Sequence, residues 1–164
     1  MLAAGGLAKP LTEPGELGRL LGQADIPKAE KSGLAQLVVS EENLLGTLRD
    51  NLRTGTLYPA AGQRIARFMA VFGTRVRGIS LTIRSLDSYW TSALSLCMTR
   101  GVSLPNQYKL RDISQERRSW QDVVTDVSAA APGVELRVTS FEATSGAPNK
   151  IFEAITGHIA PNLG

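Results

Sequence analysis

Between Val76 and Cys97 the sequence VRGISLTIRSLDSYWTSALSLC changes its hydrophobic period part-way, and that change constrains the fold more than any other feature. Val76, Ile79, Leu81 and Ile83 form a short, partly β-branched apolar run of the kind a buried strand uses. Leu86, Trp90, Ala93, Leu94 and Cys97 then recur at the three- and four-residue steps of a helix face. The switch falls at Arg84 and Ser85. In open α/β sheets ligands sit beyond the carboxyl ends of the strands, where unpaired N–H groups at the start of the next helix attract anions. Arg84 stands at that point. Ser92, eight residues on, lies about 80° around the helix from position 84 at roughly 100° per residue. A guanidinium and a hydroxyl so placed grip one phosphate from two sides. A strand-end Arg84 paired with Asp87, with Ser92 facing solvent, satisfies the same spacing.

The rest of the chain reads as one α/β unit. A chain of 164 residues with 43% hydrophobic content is large enough for one continuous core. Met1 to about Pro14 is rich in Gly, Ala and Pro and reads as irregular, with a short helix over Glu16 to Gln23. Leu34 to Val39 is an apolar run of strand length, ending in Ser40-Glu41-Glu42-Asn43. Leu44 to Pro59 reads as a long loop with room for a helical turn. Residues 60–72 predict a helix with Ile65, Phe68, Met69 and Phe72 on one stripe and Gly73 as its cap. Residues 86–100 and 119–131 predict two more, the latter stopped by Pro132-Gly133. Gly101 to Arg118 has no settled period and is where an acceptor substrate is expected. Strands are expected near 35–39, 76–83 and 134–139, with a last amphipathic helix over 147–156. Strands alternating with helices imply a mainly parallel sheet flanked by helices. The working division is an irregular to helical segment, 1–34, and an α/β domain, 35–164.

Composition excludes several classes. The net charge of +3 and pI near 9.3 suit an anionic ligand, but the basic residues are scattered, with Arg117-Arg118 the one adjacent Lys/Arg pair; no nucleic-acid partner is expected. A single cysteine, Cys97, rules out an intramolecular disulfide and is expected in the core; the reducing cytoplasm is the default location. No run of some eighteen apolar residues occurs, so no membrane span is expected. His158 is the only histidine and no metal-ligand cluster is spelled out.

The nine residues Arg84-Ser85-Leu86-Asp87-Ser88-Tyr89-Trp90-Thr91-Ser92 resemble the 3′-phosphate-binding motif of sulfotransferases that use 3′-phosphoadenosine 5′-phosphosulfate (PAPS). Two other stretches fit the same family in the same order. Val134 to Glu142, followed by Pro148, Ile151, Phe152, Ile155 and Gly157, resembles the family's late strand, Tyr-Glu turn and helix, with Phe141 in place of the tyrosine. Leu37 to Val39 running into Ser40-Glu41-Glu42-Asn43 resembles an earlier strand. Together they span roughly residues 35–157.

The resemblance implies a three-layer, P-loop type nucleotide-binding fold. It also implies that PAPS, or its product 3′-phosphoadenosine 5′-phosphate, is held by Arg84 and Ser92, with sulfuryl transfer to a hydroxyl on a small molecule or glycan. Such transfer needs a base for the acceptor proton. Glu41 and Glu42, two neighbouring carboxylates whose repulsion raises one pKa, are the candidates, unless they are solvated or paired with Arg49 or Arg53. Tyr89 and Trp90 are candidates to stack on adenine, although Trp90 falls on the apolar stripe and suits the core. The family's opening strand and Gly- and Ser/Thr-containing loop, an anion nest for the 5′-phosphosulfate, has no counterpart near Gly5-Gly6 and Lys9. The fold therefore reads as truncated: a fragment, a late start in the reading frame, or a non-catalytic relative acting as a nucleotide-binding or interaction module. Without the loop the chain alone is expected to be inactive.

Overall fold

The computed structural model describes residues 36–159, together with Lys31 and Gly33. Within residues 36–159, seven α-helices and two strands follow in the order α1 (Leu48–Thr54), α2 (Ala61–Phe72), β1 (Gly78–Ile83), α3 (Leu86–Thr99), α4 (Gln107–Gln115), α5 (Trp120–Ala130), β2 (Glu135–Ser140), α6 (Phe141–Thr144) and α7 (Pro148–Thr156); a 3₁₀ turn, Gly73–Arg75, joins α2 to the residues leading into β1. β1 and β2 pair in parallel, from Gly78 opposite Glu135 to Ile83 opposite Ser140. The protein is thus α/β with a small parallel sheet, and its crossover runs through α3, α4 and α5.

The core lies where α2 and α5 meet one face of the sheet. Ile65 of α2 and Val123 and Val127 of α5 are fully or almost fully buried with Leu57, and Ile79, Leu81 and Leu136 pack against them. Fully burying each such aliphatic side chain contributes about 1.5–3 kcal/mol. Gly62 lets the two helices approach closely, because a Cβ there would meet the Asp126 carbonyl oxygen at 3.2 Å. On the other face Arg137, paired with Ser80, reaches the Ala154 carbonyl of α7 at 3.5 Å. A second cluster, Leu52, Ala93, Cys97 and Ile113, joins α1, α3 and α4.

One expectation needs correction, and two stretches without a clear period prove to hold helices. Residues 36–39 form no strand: Leu37, Val38 and Val39 are 52%, 45% and 44% exposed, and the run has no ladder partner among the described residues. An apolar sequence becomes a strand only through pairing and packing, and neither is present for it. The stretch expected as a long loop contains α1, opened by the Thr47 hydroxyl, which accepts from the Asp50 N–H at 3.0 Å, and closed by Gly55 at φ 74°. The unsettled stretch contains α4, capped by Asn106, whose side-chain oxygen accepts from the Lys109 N–H at 2.9 Å. Both are short helices started by a cap rather than by a long apolar stripe. The short helix expected over Glu16 to Gln23 lies outside the described residues.

Tyr89 and Asn51 tie α3 to α1. Asn51, 1% exposed, donates from its amide nitrogen to the Tyr89 hydroxyl at 2.6 Å and accepts from the Tyr58 N–H at 3.2 Å. Its backbone carbonyl takes the N–H groups of Gly55 and Thr56. Tyr89→Phe leaves a buried amide N–H without its partner, which costs about 1–3 kcal/mol. Urea unfolding of the two chains should show that loss; equal midpoints and slopes would mean the bond contributes nothing net.

Candidate functional site

The register of the two strands decides what sits at the carboxyl end of the sheet. Ile83 opposes Ser140, so Arg84-Ser85 and Phe141-Glu142, which follow them, come side by side. Two stretches more than fifty residues apart in sequence meet there. Arg84 Nη1 donates to Ser92 Oγ at 2.9 Å, and the guanidinium carbon lies 4.9 Å from the centre of the Phe141 ring. The Arg84 carbonyl accepts from Trp120 Nε1 at 2.7 Å, which fixes the strand end against the start of α5. Arg84 Nε is buried and has no hydrogen-bond partner among the described residues. Burying a donor of a charged group unpaired is costly.

The expected gap between Arg84 and Ser92 is closed by their own hydrogen bond. A ligand must therefore bridge the pair from outside rather than enter between them. Nor is Arg84 ion-paired with Asp87 within 4.0 Å. Hydrogen bonds from the Ser85 side chain and the Ser88 N–H hold the Asp87 carboxyl below its ordinary range, and the Arg84 charge adds a smaller effect. Ser92 is half-buried rather than solvent-facing.

Glu142 is the residue that the sequence does not single out. One carboxylate oxygen accepts from the Ser85 N–H at 3.1 Å, at the start of α3, and the other from the Ser140 hydroxyl at 2.7 Å. It thereby occupies a backbone donor at the start of α3. Those bonds, the Ser140 hydroxyl foremost, and the nearby Arg84 hold its carboxyl below its ordinary value.

Glu41 and Glu42 lie in the turn before α1, not beyond a strand end, because the strand expected before them does not form. Glu41 accepts from the Asn43 N–H at 3.0 Å. Arg64 holds the same turn through the Asn43 and Leu44 carbonyls, at 2.8 and 2.9 Å. Neither glutamate bonds to Arg84, Ser92, Arg49 or Arg53 among the described residues; Arg53 pairs instead with Asp50 at 3.4 Å. Tyr89 is 6% exposed in the core, and the half-buried Trp90 packs against both buried clusters, as its place on the apolar stripe suits. Burial raises the Tyr89 phenol well above its ordinary value. Cys97 is buried, and His158 is exposed. Among the described residues no group of three or more His, Cys, Asp or Glu side chains is placed to hold a metal, and no helix is long and apolar enough to cross a membrane.

No protein-family model, curated protein or solved structure matches this chain.

The lowered Glu142 carboxyl has a consequence for stability. Its contribution is complete above its ordinary value of 4.5 and is lost as pH falls through the lowered folded-state value. Glu142→Gln should therefore melt below wild type at neutral pH and converge with it in strong acid. A constant gap at all pH values would show that the carboxylate charge is not the cause.

Proposed function

We propose that this chain is a sulfotransferase-like α/β domain, three-layered in plan, that binds 3′-phosphoadenosine 5′-phosphate or PAPS through Arg84 and Ser92. The observation that carries this reading is the buried, unpartnered Arg84 Nε beside a guanidinium already aligned with the Ser92 hydroxyl at the end of a parallel strand. A phosphate oxygen on Nε would complete the guanidinium's hydrogen bonds and add a charge-assisted contact. Helical contacts on both faces of the strand pair, from α2 and α5 on one side and α7 on the other, agree with a three-layer plan.

In this reading Glu142 stands in for the ligand's anion when none is bound, and binding displaces it from the Ser85 N–H. Sulfuryl transfer to a hydroxyl of a small molecule or glycan would require a phosphosulfate-binding loop that residues 1–164 do not spell, so the activity proposed for this chain is binding. The exposed apolar side chains of Phe141, Ile151 and Phe152 favour the second reading, a non-catalytic relative that serves as an interaction module.

Calorimetry separates the two. Hydrogen bonds to a charged group contribute about 1.5–3 kcal/mol, so Arg84→Ala should weaken 3′-phosphoadenosine 5′-phosphate roughly ten- to a hundredfold. Ser92→Ala should cost less, and Glu142→Gln should tighten binding by removing the competing charge. Adenosine 5′-phosphate, which lacks the 3′ group, should bind weakly and respond little to any of the three. Equal affinity for both nucleotides, or the same affinity in all variants, would retire the clamp.

Incubation with PAPS and a panel of hydroxyl acceptors should show no transfer above a protein-free control. Turnover abolished by Glu41→Gln or Glu42→Gln would return those carboxylates to the role of base.

A further inference from the structure

A cleft of about 650 Å³ opens between α1, the end of α3, the following loop and α4. Its size is that of a small-molecule site, and its lining has the usual division into an apolar floor with a few charged groups. Leu52 and Cys97, both nearly fully buried, contribute to the floor together with Val102. Arg49, Arg53 and Lys109 are the cations of the lining and Asp112 its carboxylate, with Arg53 paired at 3.4 Å to Asp50 beside it. Tyr108, also in the lining, is 82% exposed and leaves its ring free on the rim.

The fold accounts for two of these cations: Arg53, in the last turn of α1, pairs with Asp50 at 3.4 Å, and Lys109 reaches the carboxyl end of the same helix. Arg49 is different: it sits in the first turn of α1, where the helix dipole disfavours a cation. Lys109 Nζ donates to the Thr54 carbonyl at 2.8 Å, which holds its charge at the cleft wall. Arg49 is exposed and has no ion-pair partner among the described residues. A cleft lined mainly by one sign of charge concentrates ligands of the other sign. The apolar floor and the exposed tyrosine ring call for a body that can lie flat against them.

The cleft is separate from the strand-end site. Ser92 and Cys97 are five residues apart on α3, which places them about 7.5 Å apart along the axis and about 140° apart around it. We infer that this cleft is a second ligand site, for a compact organic anion with a flat apolar body, such as an aryl phosphate, sulfonate or carboxylate. Its cations hold the anionic group, and Tyr108 covers the ring. The inference does not rest on the nucleotide reading.

The probe is 2-naphthyl phosphate, with 2-naphthol and inorganic phosphate as its two halves, followed by amide chemical shifts of the full chain. The aryl phosphate should bind with a Kd below about 1 mM, within reach of a ligand of its size, and each half at least roughly tenfold more weakly. The shifts should centre on Val102, Tyr108 and Lys109. Arg49→Ala should weaken binding roughly tenfold and Tyr108→Ala about threefold, and Arg49→Lys should restore part of the loss. Both positions are exposed, so circular dichroism and melting should be unchanged. Arg84→Ala should leave this binding intact. Lack of binding at millimolar concentration, equal affinity for 2-naphthol, shifts centred on Arg84 and Ser92, or affinity unchanged in the Arg49 and Tyr108 variants would each overturn the proposal.

Discussion

The hydrogen bond between the buried Asn51 amide and the Tyr89 hydroxyl is the contact on which the strand-end geometry depends. Tyr89 also packs against Tyr58, Trp90 and Trp120, with ring centroids 5.8, 5.2 and 5.5 Å away. Aromatic groups with polar tips belong in a core only where those tips find partners. Asn51 serves one tip, and the Arg84 carbonyl serves the indole of Trp120. Tyr58 has φ 42°, an unusual backbone conformation for a residue with a large side chain, and such residues persist where neighbours hold them. Here Asn51 accepts its N–H and Arg118 donates to its carbonyl at 3.1 Å, while Arg118 also bonds to the Leu57 carbonyl and pairs with Asp126. The aromatic cluster therefore connects α1, the turn before α2, α3, α5 and the end of β1.

Arg84 and Ser92 were legible together because one uninterrupted strand-to-helix stretch carries both, and helical geometry alone sets their separation. Glu142 was not legible as their neighbour. Its place at the start of α3 follows from the register of Ile83 with Ser140, a long-range fact that no local pattern contains. The same reasoning explains Trp120, whose indole reads as a member of an apolar stripe but also donates to the strand end 36 residues earlier. Glu41 and Glu42 show the converse. Their expected role depended on a strand ahead of them, and an exposed apolar run with no partner supplies no strand end.

Helix recognition divides along a physical line. α2, α3, α5 and α7 are 9 to 14 residues long, and each repeats its apolar positions often enough to reveal the period. α1 has seven residues and buries only Asn51 and Leu52, one of them polar, so its period is hidden. Its marks are Thr47 with Asp50 three residues on, and Gly55 at the other end. α4 likewise buries Ile113 alone and is marked by Pro105-Asn106. Where a helix is held by its caps and a few contacts, cap chemistry carries more information than periodicity.

The two anion sites argued for on α3 differ in how they would attract a ligand. Arg84 is a single cation with the carboxylates of Asp87 and Glu142 close by, so the local charge does not favour an anion. Binding there must come from directed hydrogen bonds, through the unpartnered Nε and the Ser92 hydroxyl, and from release of Glu142. The cleft has Arg49 and Lys109 against Asp112, with Arg53 paired to Asp50, so attraction there is mainly Coulombic. Exposed charges are screened over about 10 Å at 0.1 M salt, whereas short, partly buried hydrogen bonds are screened much less. Rising ionic strength should thus weaken an aryl anion in the cleft faster than a 3′-phosphate at Arg84. One helix would then carry two anion sites with different physics: its buried Tyr89, Ala93 and Cys97 stripe anchors it in the core, Ser92 on one flank meets the strand-end guanidinium, and its far end closes the cleft.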